Sequence, residues 1–482
     1  MRQLFFLICL FAAFPIKTFG QNQSYEEIYK SFRDSAKEGY SSFRDECNRM
    51  YAEFLMEAWE WFEGNAPIPQ PQYMTVPPRP YNEQELHDPI SVTPECIPAP
   101  LSEPQPKPFE PIREGPAPDE NYFAFDFYGV PAKVRLPQVA KVGLRDVSNS
   151  SLSKAWEKLS TNEMNNTIRD CLETRIRYNL SDWAYLLFLD QLSQKFCNNP
   201  NDATLLMAFL FCQSGYQMRL AVDGSDLKML FGSNHIIYNK GFFTINGINF
   251  FPYGKASNRL RICNAKFEGE TPLSLIIERE QLLGSKMSDP RNIKSNFLEV
   301  SSQVPVELIS FYNSYPVSEH NRNIMTKWAM YANVPLAEKT KDVIFPKLKT
   351  SISGLTELEA VNLLLDWVQT GLEYEFDEKV WGHDRVFFAE ETLYYPFADC
   401  EDRAILFSRL VRDLVGLDVA LVYYPGHLAT AVEFKNDVKG DAMMIDGRKF
   451  LVCDPTYIGA PVGKQMPDLD YGKTQAIILN KL

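Results

Sequence analysis

The chain has 482 residues, 45% hydrophobic and 13% aromatic, which describes a globular protein large enough for two or three packed domains. Its 49 Lys and Arg against 62 Asp and Glu leave a net charge of −13, which argues against nucleic acid or anionic lipid as a partner, and no basic patch offsets it. Nine cysteines are too dilute for a disulfide-scaffolded domain.

Residues 1–20 read as a signal peptide: Arg2, an apolar run from Leu4 to Ile16, then Thr18-Phe19-Gly20 ahead of a cleavage point before Gln21. That run is too short to span a bilayer, and no later stretch reaches the ~18 uninterrupted apolar residues of a membrane helix. Cys9 has no lipid-attachment motif ahead of it. The expectation is an exported protein without a membrane span, periplasmic or extracellular.

Within 21–65, aromatic pairs recur every eleven residues across 25–62: Tyr29 and Phe32, Tyr40 and Phe43, Tyr51 and Phe54. Eleven residues make three helical turns, so the spacing predicts one long amphipathic helix. Its stripe either packs on the protein's own domains or serves self-association or partner docking. Residues 66–118 then hold sixteen of the 32 prolines. Proline lacks an amide donor and fixes φ, so this stretch is expected to stay out of sheets and helices, as an extended linker draped over a neighbouring domain. Proteolysis is expected to cut first between Ala66 and Asp119; a first cut inside 350–460 would contradict that boundary.

Patterned segments resume at Asp119. The helix-like stretch 184–194 matches 360–370 at Ala184/Ala360, Leu187/Leu363, Leu189/Leu365 and Asp190/Asp366. Further on, 201–222 resembles 401–422, with Asp202 near Asp402 and Gly215 near Gly416. The order is collinear, which suggests that 119–297 is an α+β middle domain and a divergent, inactive copy of the C-terminal unit, with Pro200 where Cys400 stands. Two apolar helices followed by a strand also produce such a match by chance.

The chemistry lies in 298–482. Thr356 and Glu359 form a capping-box pattern for a helix running to about Thr370. Pro396 cannot lie inside the next helix, and Asp399 is a good N-cap with Asp402 three residues on, so Cys400 takes the first helical position. There the helix terminus favours a thiolate, while Glu401 and Asp402 oppose it. Ala404, Phe407 and Val411 continue the same face and are expected to be buried. After Gly416 the pattern turns to β: DVALVYY, the turn Pro425-Gly426, then a strand opening on His427. The run RKFLVCDPTY ends a further strand at Asp454, with Cys453 on the opposite, core-facing side. A turn near Gly440-Asp441 puts His427 opposite Asp454; a turn at Asp446-Gly447 adds a short strand and shifts that register.

The motifs DCEDRA, GHLATAV and CDPTY resemble the signature segments of the transglutaminase-like superfamily, over about 350–460. The resemblance implies a papain-like α+β fold, a helix packed on an antiparallel sheet, with Cys400 as nucleophile, His427 as its base and Asp454 orienting the histidine. It implies acyl-enzyme chemistry on amide bonds of a protein or peptide substrate, as a peptidase, an amidase or a crosslinking transferase, without a cofactor. Leu428 and Ala429 stand where the family usually has Ala and an aromatic residue. No Gln lies just ahead of Cys400, so the oxyanion donors are expected to be the Cys400 amide with Trp381 or Tyr395. No His and Cys pair has metal-ligand spacing, and Asp399, Glu401 and Asp402 read as helix-start charges rather than a calcium site. His235 and His320 lack comparable context, and His383 is placed to rim the cleft. The contrary reading is an inactive module that keeps the fold for binding or structure.

Overall fold

The computed structural model describes residues 41–71, 75–83, 88–99, 103–107, 122–267 and 269–481. The expected signal peptide and residues 21–40 of the expected N-terminal helix lie outside them. The described chain is mixed α+β, built on two large sheets with helices packed against them.

The first described helix, Ser41–Glu57, packs its stripe on the protein itself: the Tyr51 ring lies 4.6 Å from both Trp156 and Phe267. Phe54, on the same expected stripe, is 40% exposed. The helix ends five residues short of the expected Phe62. The Ala58 amide closes it on the Phe54 carbonyl at 2.7 Å, and Trp59–Glu63 then runs as a strand against Arg259–Cys263. Aromatic side chains fit such a half-buried ladder better than a helix end.

The middle sheet has the order Trp59–Glu63, Arg259–Cys263, Met218–Asp223, Asp226–Ser233, Ile248–Pro252, Phe243–Ile245. The C-terminal sheet, taken from the matching end, runs Glu95–Cys96, Gln475–Ile478, Val419–Tyr424, His427–Val432, Arg448–Cys453, Ala442–Ile445, Ser91–Val92. The two orders are the same through six strands. Each sheet has a buried helix (Pro200–Gln213 or Cys400–Leu414) leading into its central hairpin, a second hairpin beside it, and an edge strand from the N-terminal part of the chain. In the middle unit Pro200 opens its helix as Cys400 does, and Asp226 opens its hairpin strand as His427 does. That unit therefore has neither thiol nor imidazole at those places.

The proline-rich stretch corrects the expectation that it stays out of sheets. Arg79–Pro80 pairs with Tyr457–Ile458, Ser91–Val92 with Ala442–Met443, and Glu95–Cys96 with Gln475–Ala476. Each ladder is two residues long, and amides between the prolines carry it: Tyr81 donates to the Ile458 carbonyl at 2.8 Å and Glu95 to that of Thr474 at 2.9 Å. Proline is tolerated on such short edge strands because a neighbouring residue supplies the donor. The stretch is a strap along both edges of the C-terminal sheet. No helix of the described residues is long and apolar enough to cross a membrane. Among the described residues no disulfide joins any of the eight cysteines.

Candidate active site

Local signals place each element of the site. The Thr356 amide donates to Glu359 Oε2 at 2.8 Å and the Glu359 amide to Thr356 Oγ1 at 3.3 Å, which starts the helix Glu357–Gly371. The next long helix begins at Cys400, where the Asp399 amide donates to Asp402 Oδ2 at 3.4 Å. Buried Arg403 donates to the carbonyls of Gln369 and Leu372, each at 2.9 Å, and so locks the two helices together. Ala404, Phe407 and Val411 are buried below Cys400.

The turn after Tyr424 uses Gly426 at φ 83°, which glycine enters without strain, and His427 then opens its strand opposite Tyr424. Further on, the chain turns at Asp446-Gly447, not at Gly440-Asp441, so Thr430 faces Cys453 and Asp454 lies just past the ladder. Its carboxylate reaches back to the histidine: Oδ2 is 2.7 Å from His427 Nε2. Oδ1 accepts from the amides of Thr456 at 2.8 Å and Tyr457 at 3.2 Å. Gln369 holds the Asp454 and Tyr457 carbonyls at 2.9 Å each. A carboxylate partner requires the proton on Nε2, so the lone pair is on Nδ1, which has no hydrogen-bond partner among the described residues.

Cys400 and His427 line one cavity of about 20 Å³, with Thr75, Trp328, Asp377, Asp384 and Glu401. That volume holds a water molecule but no peptide. Cys400 is 3% exposed, its Sγ is 3.1 Å from Glu401 Oε2, and the Leu428 amide donates to the sulfur. The proline-rich strap closes this place: the Val76 amide donates to the Gly426 carbonyl at 2.8 Å, and the Gln70 side chain reaches Asp384.

Burial first, and then Glu401 and Asp399, push the Cys400 thiol pKa well above its ordinary value. The expectation that the helix terminus favours a thiolate is thereby corrected for this closed arrangement. The acidic opposition was visible in the sequence; the depth of burial was not. The surrounding carboxyls are pushed the same way. Burial, followed by Glu401, raises Asp377 to about 8. Asp399, Glu401 and Asp402 are also raised, in each case by burial before any neighbouring charge. Lys327, fully buried, lies at this cluster with its Nζ 3.1 Å from Asp384 Oδ2.

Trp381 and Tyr395 pack edge to face with centroids 5.0 Å apart, the Arg385 guanidinium lies 4.3 Å over the Trp381 ring, and the Tyr395 hydroxyl donates to Asn313 Oδ1 at 2.9 Å. Neither residue lines the Cys400 cavity, where the backbone donor beside the sulfur is the Leu428 amide. Exposed His383 has its Nδ1 3.0 Å from the Trp381 carbonyl, and Cys453 is fully buried. Sequence reasoning missed Lys327, Asp384 and Thr75. The one signal for Lys327 was a lysine inside the mostly apolar helix Ile324–Asn333. No protein-family model, curated protein or solved structure matches the chain.

Proposed function

We propose that the C-terminal unit is a transglutaminase-like, papain-related thiol site of an exported protein, acting on amide bonds and held closed by the proline-rich strap. The observation that carries this reading is the buried His427–Asp454 dyad, whose unpartnered Nδ1 belongs to a residue lining the Cys400 cavity. In the proposed reaction Cys400 Sγ adds to the amide carbonyl and its proton passes to His427 Nδ1. Expulsion of the amine, which takes that proton, leaves a thioester on Cys400. Water or a second amine then attacks the thioester, and the thiol regains its proton. Asp454 fixes the histidine tautomer throughout.

A second reading, a binding module that keeps the fold, is favoured by the raised thiol pKa and the water-sized cavity. Val76→Pro removes the amide that ties the strap to Gly426 and separates the two. The proposed enzyme predicts that this variant releases ammonia or new amino termini from an unfolded protein substrate, and that Cys400→Ser abolishes the release. An accessible Cys400 without turnover would favour the binding module.

A further inference from the structure

Outside the thiol cavity, the fold collects two histidines and a glutamate that are distant in sequence. The strand pair Ile236–Ile237 and Ser318–Glu319 is antiparallel with Ile236 opposite Glu319. The next step of that register sets His235 beside His320, and their ring centroids are 5.1 Å apart. Each histidine is fixed through its backbone: the His235 amide donates to Ser233 Oγ at 3.2 Å, and that of His320 to Thr326 Oγ1 at 2.9 Å. Glu103, from the proline-rich strap, enters between them. Its Oε2 is 2.9 Å from His235 Nε2 and its Oε1 is 3.8 Å from His320 Nδ1.

All three side chains are buried or nearly so, His235 at 0% exposure. Each also carries a buried polar atom without a hydrogen-bond partner among the described residues: Glu103 Oε1, His235 Nδ1 and His320 Nδ1. Three such orphans at one place call for an explanation, since buried polar groups are normally satisfied. One ligand atom from each residue can be chosen so that all lie within 4.8 Å of one another. Two ligand atoms held at ~2.0–2.1 Å by a tetrahedral zinc ion are about 3.3 Å apart. The carboxylate meets the two rings through different oxygens, Oε2 at 2.9 Å from His235 Nε2 and Oε1 at 3.8 Å from His320 Nδ1, each within about 0.5 Å of that spacing.

We propose that Glu103, His235 and His320 form a binding site for one divalent transition-metal ion, zinc by preference, which pins the proline-rich strap to the middle and C-terminal units at once. Two imidazoles and a carboxylate suit zinc and its neighbours better than calcium or magnesium, which take oxygen ligands. The three ligands leave a fourth position for water. A cavity of about 80 Å³, lined in part by Gln105 and Ser274, lies beside the Glu103 segment. Binding through His235 Nε2 gives up the 3.2 Å hydrogen bond from the Leu275 amide.

The test uses tag-free full-length protein stripped with a chelator and titrated with zinc against a chromogenic competitor, with bound metal counted by mass spectrometry. One zinc per chain is expected for the wild type and none for His235→Ala or His320→Ala. Because those variants remove buried rings, Glu103→Gln is the decisive companion. It keeps volume and shape, and with unchanged circular dichroism its zinc affinity should fall by at least about tenfold. Asp384→Asn, beside Cys400, should retain the full stoichiometry. The assignment is overturned if wild type binds no zinc at tens of micromolar, if Glu103→Gln binds as wild type does, or if Asp384→Asn loses the ion instead.

Discussion

Iodoacetamide at pH 6 is expected to leave Cys400 of the intact chain almost unmodified, and to alkylate it at least about tenfold faster in Val76→Pro. The first half follows from the closed site: a 3% exposed thiol in a 20 Å³ cavity, with burial and Glu401 opposing its charge. The second half follows from chemistry that closure suppresses. An ordinary thiol of pKa ~8.5 is only about 0.3% ionised at pH 6, whereas a thiol at a helix terminus beside an imidazolium is ionised to a large extent. Letting water reach Glu401 and the sulfur weakens the burial penalty and leaves the helix terminus and His427 to act.

His427→Ala in the Val76→Pro background should return the rate toward that of a common thiol, because the base and its positive charge are gone. Asp454→Asn should move it the same way by less, since the imidazole loses both its tautomer constraint and the carboxylate that stabilises its protonated form. Site mapping by mass spectrometry separates Cys400 from exposed Cys96. Rapid labelling of the intact chain would refute the closed site. Labelling in Val76→Pro that ignores His427→Ala would refute the thiol-imidazole pair and leave the binding module.

Those residues were legible because short-range rules place them. Pro396 and Asp399 start the Cys400 helix, Pro425-Gly426 starts the His427 strand, and Asp454-Pro455 ends another. The hairpin turn was legible only as two alternatives, and the φ values of 50° at Asp446 and 76° at Gly447 mark the one the chain takes. The strap was misread for a physical reason: the missing proline amide was applied to the whole stretch, although the edge ladders draw on residues between the prolines. What covers Cys400 therefore stayed hidden. The collinear match of 184–222 with 360–422 falls on helices and strands that occupy the same places in two sheets of one order. Glu103, His235 and His320 gave no signal, because only the strand pairing 236–319 brings the rings together and the strap brings the carboxylate.

The second large effect expected is on stability, which should fall as pH rises from 5 to 7. Asp377 is held by burial and Glu401 at about 8, far above the 3.8 of an unfolded aspartate. Between those values the folded chain keeps a proton that the unfolded chain has lost. Stability then decreases by about 1.4 kcal/mol per pH unit for that one group. The sign is opposite to the usual ion-paired carboxylate: stability is fully present below the unfolded pKa and is lost as pH approaches the folded one. Asp399, Glu401 and Asp402 are raised by burial as well and add to the slope, while Lys327 lowers the pKa of Glu401 and reduces its share. From Asp377 alone, two pH units correspond to about 2.7 kcal/mol, or roughly 5–10 °C in the melting temperature of a domain of this size. Asp377→Asn keeps an oxygen for the Arg385 amide, which donates to Asp377 Oδ2 at 2.6 Å, but removes the titration. Its melting curve should lose about one proton's worth of slope between pH 5 and 7. A wild-type melting temperature that climbs over that interval, or a variant with an unchanged slope, would show that these carboxyls are ionised in the folded chain and that the cluster beside Cys400 is charged rather than protonated.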